Sequence, residues 1–113
     1  MRTVTLVVSS REKVTQRFLR ASEGESQGAF ISFESPELLF RLLTSRRWDL
    51  LKIMTDAGSM TIQEAARRLR RDVTAVCGDV NALLNAGILH KTGNDRIEFP
   101  FEAIHVDFML KAA

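Results

Sequence analysis

With 113 residues, 45% of them hydrophobic and 27% charged, the chain has the length for one compact domain and too much apolar content for wholesale disorder. A lone cysteine, Cys77, excludes an internal disulfide, and two histidines leave no all-protein zinc cage, so neither a metal nor another cofactor is expected. The formal net charge is only +2, but it is unevenly spread: Arg46 to Lys91 holds eight basic against five acidic side chains, and Thr92 to Ala113 two against four.

Thr3 to Val8 is expected to be a short strand, with β-branched residues dominating and Val4, Leu6 and Val8 on one face. Its apolar run is too short to cross a bilayer and lacks a signal-peptide core, which predicts a cytoplasmic protein with no membrane partner. Ser9 and Glu12 form a capping box that opens a helix to Ala21, with Val14, Phe18 and Ala21 as its apolar stripe. Ser22 to Gly28, rich in serine, glutamate and glycine, predicts a mobile loop. Ala29 to Glu34 follows as a strand that pairs with the first.

Ser35-Pro36 starts a helix through Leu43, because a serine cap with proline at the first helical position satisfies one orphan donor and removes another. Thr44 and Ser45 offer a fresh cap for a helix on which Leu50, Ile53, Met54 and Ala57 recur until Gly58 ends it, and Trp48 is expected to anchor the core. Thr61-Ile62-Gln63-Glu64 is a second capping box, with Met60 placed to staple onto Ala65; the helix it opens buries Ile62, Ala65, Ala66 and Leu69. Asp72 caps the next helix, with Val73, Val76, Val80, Leu83 and Leu84 inward and Gly87 at its end. Ile88 to Thr92 and Arg96 to Phe99 flank Gly93-Asn94-Asp95 as a hairpin. Beyond Pro100, Ile104, Val106, Phe108 and Leu110 alternate with polar residues as a terminal strand.

Two capped helices joined by three residues and followed by a hairpin make a unit that presents its second helix to a major groove. Arg67, Arg68, Arg70 and Arg71 crowd the exit of the first helix and the turn, where guanidinium groups meet phosphate. Thr74, Ala75, Gly78, Asp79, Asn81, Ala82 and Asn85 form the outward face of the second. There Thr74 and Ala75 suit a thymine methyl, Asn81 an adenine, and Asp79 a cytosine amino group. Lys91, Asn94 and Arg96 at the hairpin suit a minor groove. The fold class expected is α+β: a strand-helix-strand platform for dimerisation over residues 1–34, a winged helix-turn-helix over 35–99, and a C-terminal strand over 100–113 packing on the platform.

The segments Leu43-Thr44-Ser45-Arg46-Arg47-Trp48-Asp49-Leu50-Leu51, Glu64-Ala65-Ala66-Arg67-Arg68-Leu69-Arg70-Arg71-Asp72 and Leu83-Leu84-Asn85-Ala86-Gly87-Ile88-Leu89 carry a family resemblance. Phe33-Glu34-Ser35 before them and Ile104-His105-Val106-Asp107-Phe108 after them extend it over nearly the whole chain. Together they resemble the MarR-like winged helix-turn-helix predicted transcriptional regulators of bacteria and archaea. The resemblance implies a homodimeric, double-stranded-DNA-binding repressor of its own or other genes, and some similar proteins look like antitoxins encoded beside a toxin. The sequence departs from the pattern at Gly78, where the resemblance implies a polar or basic side chain and glycine costs helix stability.

Several of these residues also have a plainer reading. The arginine cluster read alone is a solvated helix face, with Arg67 pairing to Glu64, and the tri-helical unit can serve protein contact, with a cognate toxin as partner. Cys77 reads as a small buried hydrophobe. His90 and His105 lie too far apart in the C-terminal segment for a shared metal. The absence of a glycine-rich phosphate loop, a cysteine-histidine pair or clustered carboxylates argues against an enzyme.

Overall fold

The computed structural model describes residues 2–8 and 29–107. The expected helix from Ser9 to Ala21, the loop Ser22 to Gly28 and the residues from Phe108 onward lie outside the described residues. The architecture is mixed α+β, with two small three-stranded sheets and four helices among the described residues.

Strand β1 (Thr3–Val8) is the centre of the first sheet, hydrogen-bonded on one side to β2 (Ala29–Phe33) and on the other to β6 (Ala103–Asp107). Both pairings are parallel, in the registers Val4 to Ala29 and Val4 to Ile104. Parallel neighbours need a long crossover rather than a hairpin, and residues 9–28 supply the length for it. In-register side chains share a face, so Val4 and Leu6 lie level with Ile104 and Val106. Val4, Leu6 and Val7 are all buried, as befits a central strand covered on both faces. The final segment is tied to the first by the Glu102 N–H donating to the Arg2 carbonyl at 2.8 Å, and by the Arg2 guanidinium lying over the Phe101 ring.

Four helices follow β2, each opened by the cap its sequence specifies. For α1 (Pro36–Leu42) the Ser35 hydroxyl accepts from the Leu38 N–H, and for α2 (Ser45–Met54) Thr44 accepts from Arg47 N–H. Thr61 does the same for α3 (Ile62–Leu69) from Glu64 N–H, and Asp72 for α4 (Val73–Asn85) from Thr74 N–H. The Thr61 capping box forms only its first half, since the Glu64 carboxylate turns to Arg68 instead at 2.9 Å. At the end of α4, Gly87 takes φ +83 while Ile88 N–H bonds back to the Leu83 carbonyl, a reversal that a side chain would strain.

The second sheet is antiparallel, in the order β3 (Met60–Thr61), β5 (Arg96–Glu98), β4 (His90–Lys91). β4 and β5 form the expected hairpin, closed by Thr92 N–H to the Arg96 carbonyl. β3 has no signature in the sequence, because two residues carry no periodicity; Met60 serves as a strand residue opposite Ile97. A single core joins the sheets and helices, with Leu39, Leu50, Met54, Met60, Val76, Val80, Leu83, Ile88 and Leu89 at its centre alongside Val4 and Leu6.

Three burial expectations are corrected. Trp48 is 38% exposed, because Leu50, Leu51 and Met54 take the core face of α2 and leave the indole at its rim. Val73 is 43% exposed: it is the first residue of α4, and side chains tilt toward a helix's N-terminus, so it projects past the packed face. Cys77 is half-buried and takes a 3.7 Å contact from the Asn81 amide.

Candidate nucleic-acid interface

The corner between α3 and α4 follows from local rules. Ala65 and Ala66 are buried on the inner side of α3, where small side chains let a neighbouring helix approach closely. Arg70 ends α3 in the left-handed conformation (φ 55, ψ 46), with its N–H returning to the Ala66 and Arg67 carbonyls. Arg71 and Asp72 complete the turn, and α4 begins at Val73.

On this corner Arg67 and Arg70 are exposed and form no ion pair with any described residue. Thr74, Ala75, Gly78 and Asn81 are exposed along α4, as expected of its outward face. Lys91 and Asn94 are exposed on the hairpin. The remaining members of the predicted set have internal partners. Arg68 donates to Glu64 one turn earlier, at 2.9 Å. Arg96 is hooked onto the loop before β3, through Nε to the Ser59 hydroxyl at 3.0 Å and Nη2 to the Ser59 carbonyl at 2.8 Å. Arg71 turns inward, its Nη2 2.8 Å from the Asp79 carboxylate and its side chain 18% exposed.

Asp79 departs furthest from the sequence reading. Expected on the outward face with cytosine as its partner, its side chain is 14% exposed and faces two guanidinium groups. Arg47 donates from Nε to Asp79 Oδ1 at 3.0 Å and from Nη1 to the Leu42 carbonyl at 3.0 Å, so one side chain fastens the end of α1 and the body of α2 to α4. Burial alone pushes the Asp79 carboxyl upward, but hydrogen bonds and charge attraction from Arg47 and Arg71 outweigh it and hold its pKa below the ordinary 3.8. Arg47 and Asp79 are 32 residues apart, beyond any periodicity or i,i+4 rule, and no local pattern announces the pairing.

The surviving surface is a turn with two unengaged guanidinium groups beside a helix whose first turns present neutral, small side chains. It can attract a polyanion and lay a thin helical face against it. Among the described residues no three His, Cys, Asp or Glu side chains converge on a metal-sized site, and no helix is long and apolar enough to cross a membrane.

No curated protein and no solved structure gives a significant match to the chain. A family model described as HVO_A0114 matches residues 42–106. The match takes in α2, α3, α4, the hairpin and most of β6, more than half of the 113 residues, and the chain therefore belongs to the HVO_A0114 family.

Proposed function

We propose that the protein is a double-stranded-DNA-binding transcription regulator of the winged helix-turn-helix type, non-enzymatic and acting as a dimeric repressor similar to MarR-like proteins. The observation that carries this reading is the α3–turn–α4 corner, where exposed Arg67 and Arg70 flank the exposed Thr74, Ala75 and Asn81 of a 13-residue helix. In this reading the guanidinium groups take phosphate, the first turns of α4 meet base edges, and Lys91 and Asn94 reach along the neighbouring groove. The roles of Arg71 and Arg68 shift from phosphate contact to holding the corner in shape, and that of Arg96 from a minor groove to fastening the hairpin to Ser59. Asp79, paired with Arg47 and Arg71, is not free to repel the backbone.

A second reading, a protein-contact module such as an antitoxin, draws support from the exposed Val73 at the head of α4, an apolar group that a groove of bases does not require. Selection of duplexes from a random pool at physiological ionic strength tests the first reading. Enrichment of a near-palindrome is the expected result. A pool that stays random, with the protein instead co-purifying with a second polypeptide, would transfer the surface to the protein-contact reading.

A further inference from the structure

Among the described residues the parallel sheet stops at β6. Ile104 and Val106 lie on the sheet face of Val4 and Leu6, their partners on β1. That face is wholly buried at Val4 and Leu6 and 38% exposed at Val106, so the apolar surface continues past the point where this chain covers it. Ile104 and Ala103 line a cleft of about 110 Å³ with Trp48, Leu51 and Phe99, which continues the strip toward α2. An edge strand beside such a strip is a template for another strand.

We infer that β6 pairs antiparallel with β6 of a second copy of this chain, about a two-fold axis at Val106. Charge selects this register. An axis at Val106 sets Val106 against itself and His105 against Asp107 of the second copy, and symmetry repeats that pair on the other side of the axis. Each pair joins an imidazole N–H donor to a carboxylate acceptor, and all three residues are exposed and available in the single chain. An axis at His105 sets His105 against itself and Asp107 against Ala103, and an axis at Ile104 sets His105 against Ala103; neither retains a donor–acceptor pair. A segment that complements itself when read backwards fits a copy of itself better than an unrelated strand. The pairing rests on the DNA-binding reading only for its purpose, which is to place two α4 helices on one duplex; its geometry stands apart from it.

The test uses the full chain with Cys77→Ser. Antiparallel partners sit about 4.5–5.5 Å apart at Cα, within the disulfide range of about 4.4–6.8 Å, so Val106→Cys is expected to oxidise to a covalent dimer, whereas His105→Cys, offset from its own copy, is not. By light scattering at micromolar concentration, His105→Glu is expected to weaken the dimer about tenfold by setting Glu against Asp107, and His105→Glu/Asp107→Lys to restore it, with circular dichroism confirming that each variant folds. A wild type that is monomeric at these concentrations would overturn the inference. So would equal cross-linking at both positions or a His105→Glu dimer of unchanged affinity. Duplex binding on the same samples separates the two claims: a monomer that binds duplex removes only the β6 pairing, and a Val106→Cys covalent dimer that binds none removes only the DNA reading.

Discussion

Arg47 and Asp79, 32 residues apart, meet at 3.0 Å on the flank of α4, and through Arg71 the same carboxylate reaches the turn that sets the angle between α3 and α4. One carboxylate thus joins the scaffold helices to the proposed reading head. Removing it leaves two guanidinium groups with little access to water, so Asp79→Asn is expected to cost about 2–3 kcal/mol and roughly 10 °C in Tm, measured by thermal and urea melts. A loss within the scatter of surface substitutions would mean the pairs contribute little.

The same group gives a pH signature. Its folded pKa lies below 3.8, so the unfolded chain binds the proton first as pH falls. The stabilisation is complete above 3.8 and drains away as pH drops through the folded value. Urea melts of the wild type and Asp79→Asn are therefore expected to differ by a constant amount near neutrality, with the gap closing only below pH 3.8. A gap that closes near pH 6 would point to some other titrating group.

Much of the architecture was legible because it is written in short-range chemistry. Ser35, Thr44, Thr61 and Asp72 each announce a helix start by a side-chain oxygen within three residues of the N–H it accepts from, and the three-residue spacing of α3 and α4 follows from two such signals. The site was less legible. Asp79 sits on α4 between residues that face water and residues that face the core, and its orientation is decided by two arginines, one of them from a distant helix. Ser59 captures Arg96 from 37 positions away, and no pattern within a strand or helix encodes that contact. Hydrophobicity alone does not say which apolar residues of a helix take the core face, so nothing local marks Trp48 as the one left at the rim.

Arg70 offers a separation of stability from function. As a non-glycine residue at φ 55 it bears a strain of about 1 kcal/mol that glycine would not. Arg70→Gly is expected to raise the unfolding free energy by about that amount while weakening duplex binding. Arg70→Ala should weaken binding without the gain. Parallel urea melts and fluorescence anisotropy check both; a Gly variant that is less stable than the wild type would show that the side chain supports the turn.

The two classes of contact should also part in their sequence dependence. Arg67→Ala is expected to lower affinity for all duplexes alike, and Thr74→Ala to change which sequences are preferred. Arg71→Ala, by contrast, should first appear as lost stability, since its guanidinium belongs to the Asp79 pairs. Competition binding with a panel of duplexes, beside melts of each variant, distinguishes the three; identical profiles for Arg67→Ala and Thr74→Ala would dissolve the division of roles.

The most direct measurement is the salt dependence of duplex affinity for the wild type and for Arg67→Ala/Arg70→Ala. If the corner neutralises phosphate, log affinity falls linearly with log salt, and the double variant flattens the slope by about two. Affinity that ignores salt, or a double variant with an unchanged slope, would contradict the assignment of this corner to DNA.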